Sequence, residues 1–544
     1  MTHSQHRIGR FLMRWNIIIF TLLTLSTNVF ALRDEKNQGR WDKPCTNGPD
    51  AVVPGFLVNM GPTGARGVLT KQSFVVKFIF PDTPASSVLK LDDEVYGANG
   101  KEFSEHKFGS NVHGIEGPIQ DLGLAIEDSE GGSDGVLHLM VKRGEQQLTV
   151  NVQLEKLGRF GDSLTQDCKK TQTLRQRAYK YLIDHPGDIN SQGRCVKTLA
   201  FLSSHDPEVF AVGKELALSW NKPYDDQTWS WHLDFQAISL AEYYLLTKDK
   251  SVLPTLQSTC DLLHNCQWKA PNIICYKLEQ FTKKKINVDQ ETLQKHMDLY
   301  DGGFGHAPYT TAIVPRGGGG YGPMQWPTIL AIDAWQLGKQ CGIQGEHPGL
   351  EKAFGFLQRG TTAIGHVAYG GEFTLNNGPV DPEKWKTGRD NNNTFSAKSG
   401  LACMAYMLSP DRPESAARMK LHLSHMSNSY KDMADGHADA LMGFAWGFAG
   451  ALSSDDAELK KTISQYYIPW LNMARCAGSD SYVILPGRDY ADLAYYRDNI
   501  RNHTTATAAF IYSFATPRLQ VQGIGHKPGV ATPTAPVNGL QKRP

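Results

Sequence analysis

Apolar positions follow two different periods along this chain. Between residues 53 and 158 they fall in short β-branched and aromatic runs. Phe74-Val75-Val76-Lys77-Phe78-Ile79-Phe80, Val136-Leu137-His138-Leu139-Met140-Val141 and Leu148-Thr149-Val150-Asn151-Val152 carry strand patterning. Arg143-Gly144-Glu145, between the last two, reads as a hairpin turn. Ile119 to Asp128 has helical spacing instead. From residue 162 to 518 the helical period takes over. Amphipathic segments recur about every 25–35 residues. They include Thr173 to Ile183, Val209 to Trp220, Phe235 to Leu246, Pro327 to Lys339, Thr394 to Leu408 and Ala438 to Leu452. Asp206-Pro207 reads as a helix start with proline in the first turn. The patterns predict a small α+β domain over 53–158, then an all-α domain of roughly ten to twelve helices over 162–518. Residues 32–52 read as a linker. Residues 519–544, rich in Pro, Gly and Lys, read as a disordered tail, too polar to offset its ordering entropy.

The first 31 residues follow neither period. Arg7, Arg10 and Arg14 form a basic leader, Ile17 to Leu25 an apolar run, and Val29-Phe30-Ala31 a cleavage-type end. The run is shorter than the ~20 apolar residues a membrane span needs. The expectation is a signal peptide and a periplasmic or extracellular protein, without membrane contact once the leader is removed. A retained leader would tether the same two domains.

Charge and cysteines narrow the partners. Lys and Arg number 56 against 55 Asp and Glu, a formal charge of +1, which argues against nucleic acid and suits a polysaccharide or peptide. All nine cysteines follow the leader, and export permits disulfides. The odd count leaves at least one thiol unpaired or bridged to another chain. Cys260, Cys266 and Cys275 are spaced for a local bridge. No C-x-x-C pair is present, so no metal or cofactor is expected.

Within the small domain, Pro81-Asp82-Thr83-Pro84-Ala85, Leu89-Lys90-Leu91-Asp92-Asp93-Glu94-Val95 and Ala98-Asn99-Gly100-Lys101 stand in order. This series resembles the PDZ domains of exported bacterial proteins, with Asp92 where those domains prefer glycine. The resemblance implies peptide binding, often of a protein C-terminus, by strand addition. Its carboxylate loop would be Gly61 to Gly67, with Gly64, Ala65, Arg66 and Gly67 as peptide-binding residues.

Loops of the helical part repeat a glycine-plus-aromatic theme. Examples are Asp301-Gly302-Gly303-Phe304-Gly305-His306, Gly317 to Gly322, Tyr369-Gly370-Gly371-Glu372-Phe373 and Asp435-Gly436-His437. Such loops between regularly spaced helices resemble the α/α-toroids of terpenoid cyclases, protein prenyltransferase β-subunits and several polysaccharide lyases. Gly61 to Gly67, Leu240 to Leu246, Gly317 to Gly322 and Asp435 to His437 together resemble a family of exported bacterial proteins of unknown function. That family joins a PDZ-like N-terminus to an α/α-toroid. The resemblance implies architecture and export, and supplies no chemistry.

A toroid presents its chemistry at the mouth of the ring. Candidate catalytic residues are therefore His306, Tyr321, Tyr369, Glu372, Asp390, His437, Asp439 and Arg497. Trp326 and Trp446 are candidate sugar-stacking rings. A polysaccharide lyase needs a base, for which His437 or Tyr321 qualifies, and a charge stabiliser such as Arg497. A hydrolase needs two carboxylates, with Glu372, Asp390 and Asp439 available. The alternative is a non-enzymatic glycan- or protein-binding scaffold in the cell envelope.

Overall fold

A computed structural model describes residues 45–47, 51–53, 58–105, 115–187, 189–226, 228–269, 289–306, 322–343, 348–370, 396–433, 440–483 and 498–524. The leader, most of the linker and residues 525–544 lie outside the described residues; residues 519–524, expected to begin the disordered tail, are folded instead, because Leu519 and Val521 are buried.

The N-terminal unit is an antiparallel sheet. A short hairpin pairs β1 (Cys45–Asn47) with β2 (Ala51–Val53). The main sheet runs in the order β3 (Val58–Asn59), β4 (Ala65–Leu69), β5 (Phe74–Ile79), β6 (Glu94–Ala98), β8 (Val136–Arg143), β9 (Gln146–Gln153). The short β7 (Lys101–Glu102) pairs with β6. The expected hairpin is present: Arg143 pairs with Gln146, and Gly144 turns the chain at φ 57°. Asn99-Gly100 makes the β6–β7 turn with both residues at positive φ, the combination a two-residue type I′ turn requires. Asp92 has φ 68°. That backbone explains why glycine suits the position: an L side chain there costs roughly 1–2 kcal/mol.

Helix α1 (Pro118–Glu130) buries Ile119, Leu122 and Ile126. It joins the sheet unit to the rest of the chain. The helices that follow are α2 (Lys169–Asp184), α3 (Ser191–Leu202), α4 (Pro207–Leu218), α5 (Ser230–Thr247), α6 (Leu253–Cys266) and α7 (Gln290–Tyr300). After them come α8 (Gln325–Gln340), α9 (Leu350–Arg359), α10 (Ala397–Met407) and α11 (Ser415–Ser429). Helix α12 is composite: Ala440–Met442, a π-helical turn Gly443–Gly447, and Phe448–Ser453. α13 (Ala457–Ala474) and α14 (Asp498–Ser513) complete the set.

Packing closes six of the described helices into a ring: α3 on α5, α5 on α8, α8 on α10, α10 on α12, α12 on α14, and α14 back on α3. α2, α4, α6, α9, α11 and α13 pack outside it. Inner helices are buried on nearly every face because both sides are covered; α8 buries every residue from Gln325 to Gly338. The α10–α12 contact depends on glycine. A Cβ at Gly450 would stand 1.8 Å from the Gly400 carbonyl oxygen, and one at Gly400 would stand 2.4 Å from that of Gly447.

The sheet unit is docked firmly on the ring's outer layer. α1 crosses α13 so closely that a Cβ on Gly123 would meet Pro469 at 2.5 Å. A buried charge cluster seals the junction. Lys170 pairs with Glu127 and, at 2.7 Å, with Glu130, while Arg475 Nη2 donates to both Glu130 oxygens at 2.8 Å. Two cations balance two carboxylates, so the cluster is neutral overall. Asn59 Nδ2 donates to the Met473 and Arg475 carbonyls, both at 2.7 Å, closing the C-terminal end of α13.

Two sequence expectations change here. Gly64, Ala65, Arg66 and Gly67 do not offer a free strand edge, because β4 is paired on one side with β3 and on the other with β5. Arg66 is fully buried, with its guanidinium 5.0 Å from the centre of the Phe80 ring. The Ala65 N–H goes to Thr63 Oγ1 and the Gly64 N–H to the Gly61 carbonyl, so these amides do not converge on an anion. Nor are Cys260 and Cys266 bridged. Both lie on α6 as buried free thiols, and a helix holds residues six apart out of disulfide reach. Cys275 falls outside the described residues.

Candidate functional site

The starts of α5 and α8 lie together, joined through the segment 304–306. The glycine-rich run 301–306 shows how that end is built. Gln267, Phe304, Met324 and Gly370 lie side by side through successive antiparallel bridges. Gln267 Nε2 donates to the Gly302 and Gly349 carbonyls, and the Gln325 N–H to the Tyr369 carbonyl. Gly302 sits at φ 91°, where a Cβ would fall 2.1 Å from the Lys352 carbonyl oxygen. The glycines thus let four chain segments cross in a space too small for side chains.

This ladder delivers His306 to the start of α5. The His306 carbonyl accepts the Ser230 N–H at 3.1 Å, and Ser230 Oγ donates to the Gly305 carbonyl at 2.5 Å. Trp231 Nε1 donates to His306 Nδ1 at 2.8 Å. The imidazole is flanked by Trp229, centroids 5.8 Å apart, and Trp231, 5.9 Å apart. Burial lowers the His306 pKa, so the ring is neutral at neutral pH. Trp229 is 46% exposed and Tyr369 48%, two large rings left open to solvent at this end.

Rings continue inward from there. Trp231 lies 6.5 Å from Phe235, one turn deeper on α5, and Phe235 stacks on Trp446 at 6.1 Å. α5 and α12 stand on opposite sides of the ring, so this stack crosses the axis and closes it. Trp446 is carried by the π-helical turn, a local widening often found at functional sites. The Phe235–Trp446 pair therefore fills the axis at this level.

Ionisable groups are sealed in the walls as well. Asp234 of α5 and Asp333 of α8 are fully buried, and neither carboxyl accepts a hydrogen bond. Burial raises both pKa values well above the usual range, and for Asp234 the neighbouring Asp333 adds to it. Burial without a hydrogen-bond donor favours the neutral acid form of both. His503 of α14 is also buried, with neither ring nitrogen hydrogen-bonded, and burial lowers its pKa to about 3. Its ring lies against α3, where a Cβ on Gly193 would meet it at 2.8 Å.

Of the residues expected to carry chemistry, His306 and Tyr369 are placed at this mouth. Tyr321, Glu372, Asp390, His437, Asp439 and Arg497 lie outside the described residues. Trp326 and Trp446 are corrected: they are 1% and 0% exposed, and neither can stack on a sugar as it stands. An inner helix has no dry and wet face to choose between, so a tryptophan near its start is buried all the same. The sequence reading missed Trp229, Trp231, Asp234 and Asp333. A signal for Asp234 was present: an unpaired acid between leucine and phenylalanine in an apolar helix.

Comparison with known proteins places the chain. Residues 171–271 and 286–525 match the family described as Domain of unknown function (DUF6288), and the chain belongs to that family. No curated protein matches it by sequence. Among solved structures it is similar to a family 76 glycoside hydrolase from a bovine Bacteroides thetaiotaomicron strain. The TM-score is 0.41 at 11% identity, over 70% of this chain and 84% of the other. It is also similar to an aspartate-to-asparagine mutant of the unsaturated glucuronyl hydrolase from Streptococcus agalactiae. There the TM-score is 0.36 at 8% identity, over 64% of this chain and 91% of the other.

Proposed function

We propose that this protein is an exported carbohydrate-active protein that lays a polysaccharide across the mouth of its helical ring. The observation that carries the reading is the pair of exposed rings, Trp229 and Tyr369, beside the hydrogen-bonded His306–Trp231 pair. Aromatic faces present an apolar surface that matches the C–H face of a sugar, and a polar group beside them fixes its orientation. The axis filled by Phe235 and Trp446 suits a chain lying across the ring rather than threaded through it.

In this reading the chemistry comes from the loops that enter the inner helices. Glu372, Asp390, His437, Asp439, Arg497 and Tyr321 supply the acid, base and charge-stabilising groups for polysaccharide cleavage, by elimination or by hydrolysis. The sheet unit is PDZ-like and acts as a brace, with α1 locked to α13 through the Lys170 cluster. The leader directs the whole to the periplasm or beyond.

The test is to incubate the mature protein with a panel of acidic and neutral polysaccharides. Three readouts are followed: binding, reducing ends, and the ultraviolet absorption of unsaturated products. Binding with either product supports the reading. Binding without product from any substrate leaves the glycan-binding scaffold, and absence of binding to every polymer refutes the carbohydrate reading and leaves a protein-binding scaffold.

A further inference from the structure

Glu127, Lys170 and Asn472 bring together a carboxylate, an amine and a side-chain amide far from the mouth. They come from three helices, α1, α2 and α13, where the sheet unit meets the ring. Lys170 and Asn472 are 0% exposed and Glu127 8%. Glu127 Oε1 accepts the Phe160 N–H at 2.5 Å, which fixes the carboxylate. The other oxygen, Oε2, accepts from Lys170 Nζ, and from Asn472 Nδ2 at 2.8 Å. Two donors on one oxygen stand within about 6 Å of each other. Amine and amide are thus neighbours across a single carboxylate oxygen.

Their surroundings favour a reaction between them. Asn472 Nδ2 also donates to the Gly123 carbonyl at 3.1 Å. Both of its neighbours are acceptors, so the nitrogen of the amide is the atom that faces Glu127. Burial, and then the charge of Arg475, lower the Lys170 pKa against the pull of Glu130 and Glu127. The neutral amine, which is the nucleophile, is therefore easier to reach than on an exposed lysine. The Phe160 ring covers the amine, 4.7 Å from Nζ, and Tyr512 stacks on Phe160 at 5.9 Å. Fixed neighbours in a site closed to water react as one molecule rather than two.

We infer that Lys170 and Asn472 are a modification site, joined by an isopeptide bond that forms in the folded chain with Glu127 as proton carrier. Glu127 takes one proton from the Lys170 ammonium. Nζ attacks Asn472 Cγ, and the Nζ–Cγ bond forms. The adduct sheds a second proton from Nζ, which passes through Glu127 Oε2 to Nδ2. The Cγ–Nδ2 bond breaks and ammonia leaves. Glu127 keeps the first proton, and Glu130 stays paired with Arg475, so the cluster is neutral before and after. The step consumes no oxidant, reductant or other reactant. The bond ties α2 to α13, the first and last of the outer helices, and encloses α3 to α12 in one covalent loop.

The test is peptide mapping of the full chain by mass spectrometry after days at neutral pH. Trypsin cuts after a free Lys170 and not after a linked one. The expected product is a branched peptide in which residues 170–175 are joined to residues 462–475. It should be lighter than the two together by roughly 17 mass units, the mass of ammonia. Recovery of both segments only as linear peptides, with cleavage after Lys170, overturns the inference. That result depends on no variant and on no reading of the mouth. Glu127→Gln has the same length and cannot carry the proton, so its peptides should stay linear in a chain with wild-type circular dichroism. A branched peptide in Glu127→Gln overturns the role of Glu127. Should that variant fail to fold, Glu127→Asp decides. Its carboxylate is one carbon short and should slow linking at least tenfold, and linking at the wild-type rate overturns the same role.

Discussion

Glutamate 242 ties the end of the folded chain to the ring, and its substitution by glutamine gives a pH-dependent result. Glu242 lies on α5 and is 1% exposed. One carboxyl oxygen accepts the Val521 N–H at 2.8 Å, the other the Gln520 N–H at 3.1 Å. Burial raises its pKa from 4.5 to about 7, against the opposing pull of those two donors. Such a group keeps its proton in the fold after the unfolded chain has lost it. Its contribution is fully present below pH 4.5, declines as pH rises to about 7, and is level above. Between pH 5 and 8 the decline is about 2–3 kcal/mol. Glutamine cannot titrate, and its amide offers one acceptor oxygen where two are used. Its NH2 would face a backbone N–H and leave that donor unsatisfied, costing about 1–3 kcal/mol at any pH. Glu242→Gln should thus be less stable than wild type at pH 5 by about 1–3 kcal/mol and as stable or more so at pH 8. Urea denaturation at five pH values measures the difference, in which groups common to both proteins cancel. A gap that stays constant from pH 5 to 8 refutes the reasoning.

Other expectations follow from single sites. Asp234→Asn should match wild type near pH 4 and become the more stable protein as pH rises. The gap should open by up to ~1.4 kcal/mol per pH unit, because the buried acid no longer has to hold its proton; parallel stability profiles would contradict this. Lys170→Met leaves Glu127 and Glu130 facing Arg475 alone and should cost about 3–5 kcal/mol by denaturant midpoint. Asp92→Gly relieves the positive φ and gives up only an exposed 2.5 Å pair with Lys77, so it should stabilise by about 1 kcal/mol. Trp229→Ala should leave the melting temperature within a degree or two and reduce polysaccharide affinity at least tenfold; unchanged affinity would remove Trp229 from the site.

The sequence made the local elements legible and the ring's interior much less so. β5, the β8–β9 hairpin and α1 are set by side-chain period and by residues such as Gly144, all read within a few positions of one another. The ring itself follows from contacts between segments far apart in the chain, as when α14 closes on α3. Trp326 shows the consequence. Its neighbours are glycine-rich, which points to a loop and a solvent-facing ring, but it is the second residue of an inner helix and is buried from both sides. Trp229 is the converse: an unremarkable polar stretch precedes it, and only the fold leaves it exposed beside His306. Arg66 misled for a related reason. A glycine-flanked arginine has the chemistry of a carboxylate site, and whether its strand is an edge depends on β3, two residues long.

A filled axis and a braced outer layer divide the labour of the molecule. The Phe235–Trp446 stack fills the axis at its level, and in the proposed reading a polysaccharide meets the ends of the inner helices. Those ends are reached through loops, and each loop starts from an outer helix. The sheet unit fixes one of these starting points directly. Asn59 holds the Met473 and Arg475 carbonyls, Arg475 is pinned by Glu130, and Arg475 pairs with Tyr482 across the turn that follows. From Val483 the chain continues toward residues 484–497 and then α14. The small domain thus fixes, from the outer layer, the point at which residues 484–497 begin. Its tight docking suits a brace better than a mobile tether, since a tether gains nothing from burying four charges at its root.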